Sequence, residues 1–278
     1  MTIRTPHAVT SLALSPDGQT LAVTMADKKA GAMLLHAMTG EVIKTFRFAH
    51  RSVAFADDGA LWLSGKSVVR HTPGTWKADR KLDGDPKVAA IDVRGDRLAI
   101  SAYKRMVSEV WDLARDEKIF SWPLPRPAAG CALGGDGLLY VMTRPLPTDW
   151  VAIDYGGDGA ARPMGPDVCW VAGTPSGAFL ARETKNRRPA NAVVSPDGRW
   201  IAETVERRPD ADPTRPMEAL LQITDSAGSL HAEPEWRIAT GSRFSMAFAP
   251  DGRRLYAGTF EGRFQESAEG VIHVVELP

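Results

Sequence analysis

Short stretches of alternating apolar and polar residues, each ending in a tight polar turn, recur along the chain. The clearest is Val9-Thr-Ser-Leu-Ala-Leu14, which leads through Ser15-Pro-Asp-Gly18 into a second apolar stretch. Such alternation is typical of half-buried β-strands, and glycine supplies the positive φ that many tight turns need. The pattern therefore predicts a unit of strand, glycine turn and strand.

Seven copies of this unit can be aligned. Their turn glycines are Gly18, Gly59, Gly95, Gly137, Gly177, Gly198 and Gly252. Five positions before each glycine stands a small residue, in the order Ala13, Ala54, Ala90, Ala132, Ala172, Val193 and Ala247. A small side chain there suits the innermost strand of a radial array, where neighbouring sheets converge and space is limited.

Further strands follow most of these pairs. Third strands are predicted at residues 32–36, 108–112, 151–155 and 220–224, and fourth strands at residues 42–46 and 118–122. Four antiparallel strands in about 40 residues form one blade of a β-propeller. The predicted fold class is therefore all-β, a β-propeller, with residues 1–278 forming a single domain.

The spacing of the glycines leaves the number of blades open between seven and six. Only 21 residues separate Gly177 from Gly198, so the fifth blade is short. Seven blades are preferred because residues 168–182 match the first copy; in the six-bladed alternative this hairpin is an excursion. The last blade lacks a fourth strand, and Thr2 to Thr5 is predicted to supply it and close the ring.

Composition narrows the classes of partner. The chain has 34 Lys and Arg residues against 34 Asp and Glu residues, so it lacks the overall charge expected of a nucleic-acid or anionic-membrane binder. No apolar run resembles a signal peptide or approaches the roughly 20 residues that span a bilayer. Cys131 and Cys169 lack the spacing of a metal or redox motif. We expect a cytoplasmic protein without a membrane partner.

The turns resemble those of the WD40-repeat family. Ser15-Pro-Asp-Gly18, Ser195-Pro-Asp-Gly198 and Ala249-Pro-Asp-Gly252 match its first turn, and Val110-Trp111-Asp112-Leu113 matches the dipeptide that names it. Similar turns occur in TolB-type and prolyl-oligopeptidase propellers. The WD40 resemblance implies a rigid scaffold that docks proteins or peptides and has no catalytic residues, with Trp111 and Asp112 in structural roles.

The two faces of the predicted propeller differ. Turns between first and second strands and between third and fourth strands are short; we call this side the short-turn face. The opposite, long-loop face carries the connections at residues 26–31, 103–107, 144–149, 206–217 and 260–270. Arginines and aromatic residues on rigid loops suit protein binding. The candidate binding residues are Lys104, Arg105, Arg187, Arg188, Arg207, Arg208, Arg215, Phe260, Arg263 and Phe264. Acidic residues lie on the same loops, so the alternative remains that this face is a solvated surface of mixed charge without a binding role.

The sequence contains no established catalytic motif. The inner strands are mainly apolar, with Asp92 and Asp167 as scattered carboxylates, so no metal-binding set emerges and no cofactor is expected. We expect a non-catalytic scaffold for a protein or peptide, as a subunit or module of a larger bacterial complex. The alternative is a small-molecule-binding or hydrolytic propeller with its site at the channel mouth.

Overall fold

The alternating stretches form antiparallel strands in the computed structural model of the chain. The structure describes residues 1–27, 31–48, 51–82, 88–125, 128–134, 137–143, 149–158, 160–163, 168–172, 179–181, 188–207, 218–225, 229–232, 237–239, 245–260 and 268–278. Strands are numbered in chain order.

The first half of the chain forms an N-terminal strand and three complete sheets. The strands are β1 (Thr2–Thr5), β2 (Val9–Leu14), β3 (Thr20–Met25), β4 (Ala32–His36), β5 (Val42–Phe46), β6 (Ser52–Phe55), β7 (Leu61–Ser64), β8 (Val68–His71), β9 (Ala78–Leu82), β10 (Val88–Arg94), β11 (Arg97–Ala102), β12 (Val107–Asp112) and β13 (Glu117–Pro123). Strands β2–β5 form blade one, β6–β9 blade two and β10–β13 blade three.

The second half forms the remaining three sheets. Its strands are β14 (Ala128–Leu133), β15 (Leu138–Thr143), β16 (Asp149–Asp154), β17 (Ala161–Pro163), β18 (Val168–Ala172), β19 (Phe179–Ala181), β20 (Arg188–Val194), β21 (Trp200–Arg207), β22 (Glu218–Asp225), β23 (Leu230–Ala232), β24 (Arg237–Ala239), β25 (Ser245–Phe248), β26 (Arg254–Phe260) and β27 (Gly270–Glu276). Strands β14–β17 form blade four, β18–β24 blade five, and β25–β27 with β1 blade six.

The prediction of seven blades is wrong, since the described strands form six sheets. The hairpin of β18 and β19 has only two short strands and does not form a blade of its own. Instead, β18 pairs in parallel with β20, with Val171 opposite Ala192, and so extends blade five. The six-bladed alternative, in which this hairpin is an excursion, describes the sheets.

Neighbouring blades are held together by apolar side chains between their faces. Blades one and six share a core that includes Leu12, Leu21 and Tyr256, and blades five and six share one that includes Leu221 and Leu255. Equivalent clusters join blades one to two, two to three and three to four. The outer strand of blade six is β1, which pairs antiparallel with β27 along its whole length.

The repeated turns have a common hydrogen-bonding pattern. In blade one the Asp17 carboxylate accepts hydrogen bonds from Ser15 Oγ at 2.5 Å and from the Gln19 amide at 3.0 Å, while Gly18 adopts φ = 68°. The Ser15 hydroxyl, which lowers the pKa of Asp17 most, also accepts the Thr20 amide. These bonds explain why the Ser-Pro-Asp-Gly sequence recurs: it satisfies the backbone of a sharp reversal with its own side chains.

Candidate functional site

Most of the predicted binding residues on the long-loop face have side chains outside the described part of the chain. Arg187, Arg208, Arg215, Arg263 and Phe264 lie wholly outside the described residues. Arg188, Arg207 and Phe260 are placed through their backbone alone, at strand ends. The side chains of Lys104 and Arg105 are the two in the predicted set that can be examined.

Lys104 and Arg105 lie in the tight connection between β11 and β12, and both are exposed. Arg105 Nη2 lies 3.6 Å from Glu109 Oε1, and Lys118 Nζ donates to the same oxygen at 3.0 Å. The Glu109 carboxylate is buried, so these two cations hold it in place. Arg105 therefore has a structural partner, whereas Lys104 points its charge to solvent.

The pairing of β20 with β21 brings Arg188 and Arg207, two more of the predicted binding residues, to the same end of blade five. Arg188 begins β20 opposite Glu206, and Arg207 is the next residue, at the end of β21. Both arginines thus lie at the long-loop end of blade five. Phe260, opposite Gly270, lies at the corresponding end of blade six.

Serine side chains on the inner strands form a ladder of hydrogen bonds between neighbouring blades. The Ser245 hydroxyl of blade six accepts the Leu12 amide at 2.8 Å, and Ser11 of blade one accepts the Val53 amide at 3.4 Å. Ser52 of blade two in turn accepts the Ile91 amide at 3.3 Å. A serine at one position of the inner strand therefore fastens each of these blades to the next.

Asp92 makes the bond between blades three and four, from a position two residues beyond that of the serines. Its Oδ2 accepts the Leu133 amide at 2.8 Å. Asp92 is opposite Ala99 in its hairpin, as Ala13 is opposite Ala22 in blade one. Asp92, and not the predicted Ala90, therefore occupies the small-residue position of blade three. Burial raises the pKa of the Asp92 carboxyl to about 6.

Cys131, on the neighbouring inner strand, does not have the character of a nucleophile. Burial raises the pKa of its thiol to about 12, and the charge of Asp92 acts in the same direction. A thiol with such a pKa is protonated at neutral pH and reacts slowly. Among the described residues no group of His, Cys, Asp and Glu is arranged to hold a metal ion.

Trp111 and Asp112 have the structural roles expected from the WD40 resemblance. The Asp112 carboxylate accepts the amides of Ala114 and Arg115, both at 3.0 Å, and pairs with Arg97 Nη1 at 2.6 Å. Trp111 packs against the core between blades two and three. Asp112 thus stabilises the turn of blade three, and Trp111 stabilises the packing between blades two and three.

The short-turn face, which the sequence did not suggest as a site, contains two neighbouring clefts. The first lies between blades one and two, has a volume of about 410 Å³ and is lined by Pro16, Asp17, Pro73 and Trp76 among others. The second lies between blades two and three, has a volume of about 330 Å³ and is lined by residues that include Trp62, Arg80 and Asp96. Asp57 and Asp58 line both clefts. The signal in the sequence was the acidic pair itself, at a turn where other blades have Pro-Asp.

Among protein-family models, the one described as WD domain, G-beta repeat matches residues 1–30. This segment covers β1 and the first strand pair of blade one. A comparison with curated proteins gives no match. No helix in the described ranges is long and apolar enough to cross a membrane.

Solved structures show the same fold over nearly the whole chain. The structure of U3-55K is 11% identical, with a TM-score of 0.70 and coverage of 98% of both chains. The crystal structure of RRP9 WD40 repeats is also 11% identical, with a TM-score of 0.71 and coverage of 99% of this chain and 97% of that one. Hydrazine synthase from Kuenenia stuttgartiensis is 18% identical, with a TM-score of 0.56 and coverage of 91% of this chain and 74% of that one. The WD40 resemblance is thus confirmed for the first repeat and for the propeller fold.

Proposed function

We propose that this chain is a non-catalytic scaffold that docks a protein or peptide on its long-loop face. It acts in the cytoplasm as a subunit or module of a larger bacterial complex, with residues 1–278 as one domain whose ring is closed by β1. The proposal requires no cofactor and no nucleic-acid partner.

The observation that carries this proposal is the WD40-type fold, which the chain has in common with WD40-repeat structures over 98–99% of its length. Its described blades are fastened by apolar cores and by the serine ladder, so the strand ends on one face are held at fixed positions. Rigid placement lowers the entropy lost when loops bind a partner. Arg188, Arg207 and Phe260 at the strand ends would then anchor the contact.

A capture experiment with matched variants tests the docking face. The full chain, purified from its source or a heterologous host, is immobilised and exposed to source-cell lysate, and retained proteins are quantified by mass spectrometry. In one variant residues 208–215 become an eight-residue Gly-Ser segment. The replacement stops short of Arg207 because that residue pairs with Glu218 in the sheet.

A pair of charge variants controls for the loss of positive charge. Arg208→Ser with Arg215→Ser removes two arginines from the long-loop face, whereas Arg115→Ser with Arg253→Ser removes two exposed arginines from the short-turn face. We expect the Gly-Ser replacement and the first pair to lower retention of one partner about tenfold or more, as loss of interface anchors does. Equal retention by both charge variants, or equal loss, would contradict docking at this face.

A further inference from the structure

The two clefts of the short-turn face carry more carboxylates than cations. Asp17, Asp57, Asp58 and Asp96 line them, against Arg70 and Arg80. All four carboxylates belong to exposed residues. The chain as a whole has equal numbers of acidic and basic residues. The acidic character therefore belongs to this place and not to the protein as a whole.

Both cations are already neutralised by carboxylates of blades two and three. Arg70 pairs with Asp58 Oδ2 at 2.5 Å and with Asp79, which also accepts the Thr72 hydroxyl at 2.8 Å. Arg80 donates to the Leu113 carbonyl at 3.0 Å and pairs with Asp116. Neither guanidinium is therefore free to neutralise the remaining carboxylates.

Two of the carboxylates, those of Asp57 and Asp96, bond to no other group in the described part of the chain. In blade two Asp58 accepts the Ala60 amide at 2.9 Å, so it fills the role that Asp17 has in blade one. Asp57 then stands where the Ser-Pro-Asp-Gly turns have proline, and its side chain makes no hydrogen bond or ion pair within the described part of the chain. A solvated carboxylate that makes no bond within the protein is available to a ligand.

Asp96 is in the same situation in blade three. It lies with Gly95 in the tight reversal between Arg94 and Arg97, which pair with each other across the hairpin. The Asp96 carbonyl accepts the Leu113 amide at 2.8 Å, but its carboxylate has no partner among the described residues. Asp57 and Asp96 thus face the second cleft from two different blades.

The wall of the second cleft also contains N–H groups without acceptors. Trp62 is 0% exposed, and its indole Nε1 has no hydrogen-bond partner in the described structure. Arg80 Nε, beside it, is buried and likewise unpartnered. The Arg80 guanidinium lies 5.9 Å from the centre of the Trp62 ring, so both groups belong to one wall. Buried donors are normally satisfied, so these two N–H groups make the wall of the second cleft unusual within the described structure.

We propose that these clefts bind an extended peptide segment that carries arginine. An arginine side chain would donate to the carboxylates of Asp57 and Asp96, beside the wall that contains Trp62 and Arg80. Pro16, Pro73 and Trp76 in the first cleft supply apolar surface for a neighbouring side chain. This second docking surface lies on the face opposite to the long loops and does not depend on them.

Fluorescence anisotropy with defined peptides tests the proposal. The probe is a fluorescein-labelled nine-residue peptide in which three arginines are spaced by glycine and serine, and its control has citrulline in place of arginine. We expect the full chain to bind the arginine peptide at least about tenfold more tightly than the citrulline peptide, because charge-assisted bidentate pairs are lost. Equal binding of the two peptides, or no binding of either, would overturn the proposal.

Two double variants with the same loss of charge separate the clefts from the general field of this face. Asp57→Asn with Asp96→Asn removes the two free carboxylates, and we expect it to weaken binding about tenfold. Glu41→Gln with Glu276→Gln removes two exposed carboxylates from the same face outside the clefts, and binding should change less than about twofold because exposed charges are screened by salt. Equal weakening by both would overturn the assignment to the clefts.

The indole signals of the protein locate the bound peptide independently. Among the tryptophans whose side chains the structure describes, Trp62 has a buried N–H without a partner, whereas Trp111 Nε1 donates to Glu109 at 3.4 Å. In protein labelled with ¹⁵N-tryptophan, the arginine peptide should shift the Trp62 indole resonance and leave that of Trp111 unchanged. A shift confined to other tryptophans would place the peptide elsewhere. Calcium titrated alone should have no effect, and a calcium-induced shift of Trp62 would assign the carboxylates to a cation instead.

Discussion

Replacing Asp92 with asparagine should stabilise the protein at neutral pH and not at acidic pH. Burial against blade four raises the pKa of this carboxyl from 3.8 to about 6. The folded state therefore binds the proton more tightly than the unfolded state does. Stability from Asp92 is fully present below about pH 4 and is lost as the pH rises through 6.

The size of the effect follows from the shift in pKa. A difference of about two units corresponds to roughly 3 kcal/mol at 1.36 kcal/mol per unit. The Asp92 side chain, on inner strand β10, is partly exposed, so we discount this to about 1–2 kcal/mol for solvent screening. The asparagine side chain introduced by Asp92→Asn keeps an oxygen that can accept the Leu133 amide, so this substitution removes the charge without removing the bond between blades.

Urea unfolding measured at several pH values tests this reasoning. At about pH 7.5 Asp92→Asn should raise the free energy of unfolding by about 1–2 kcal/mol, and at about pH 4 the gain should fall below about 0.5 kcal/mol. Asp92→Ala is the matched variant that also leaves the Leu133 amide without its acceptor, and it should be less stable than Asp92→Asn at every pH. A gain that is independent of pH, or a loss at about pH 7.5, would refute the argument.

Other substitutions test the ladder, the packing between blades and the turns. Ser52→Ala removes the acceptor between blades two and three and should lower the free energy of unfolding by about 0.5–1.5 kcal/mol in urea titrations. Gly258→Ala would place a methyl group 2.6 Å from Val9 Cγ1 and should cost about 1–3 kcal/mol by the same measurement, whereas Gly156→Ala, with its nearest neighbour at 3.8 Å, should cost under about 1 kcal/mol. Equal losses at the two glycines would contradict close packing of blades six and one. The Ser195 hydroxyl lowers the pKa of Asp197, so stability from this group is present above the unfolded value of 3.8 and is lost as the pH falls through the lower, folded value. Asp197→Asn should therefore lower the melting temperature at about pH 7, and this loss should diminish as the pH falls below 3.8, as followed by circular dichroism.

The strands could be predicted from local sequence because each hairpin is specified by interactions between residues that are close in sequence. The predicted ranges 2–5, 32–36 and 42–46 coincide with β1, β4 and β5. Alternation places one face of each strand in the core, and the Asp side chains in the turns of blades one, two, five and six accept the backbone amide two residues on. These interactions lie within a few residues of one another, so the pattern of residue types is enough to reveal them.

The number of blades depends on pairing that the local pattern does not specify. The hairpin of β18 and β19 carries the same apolar and turn signals as the other copies, but no third and fourth strand follow it directly. Its first strand pairs in parallel with β20 and joins blade five. Such an excursion differs from a true blade only in the strand with which it pairs, and the local sequence pattern does not specify that strand.

Counting from the turn glycine also gave the wrong register in blade three. In blade one six residues separate the paired Leu14 and Leu21, whereas in blade three four residues separate the paired Val93 and Leu98. The shorter reversal moves the small-residue position from Ala90 to Asp92. Asp92, which the sequence indicated only as an isolated carboxylate on an inner strand, therefore forms a hydrogen bond between blades three and four.

This register explains why one junction of the propeller should respond to pH while its neighbours do not. Ser245, Ser11 and Ser52 fasten successive blades with hydroxyl groups, which do not ionise in the physiological range. Ala90 has the corresponding place in blade three and offers no acceptor. Asp92 bonds to blade four from two residues further along the strand, with a charged group whose ionisation burial opposes. Either the protonated or the ionised carboxyl of Asp92 can accept the Leu133 amide. Its protonation therefore changes the free energy of this junction but not the hydrogen bond that forms it.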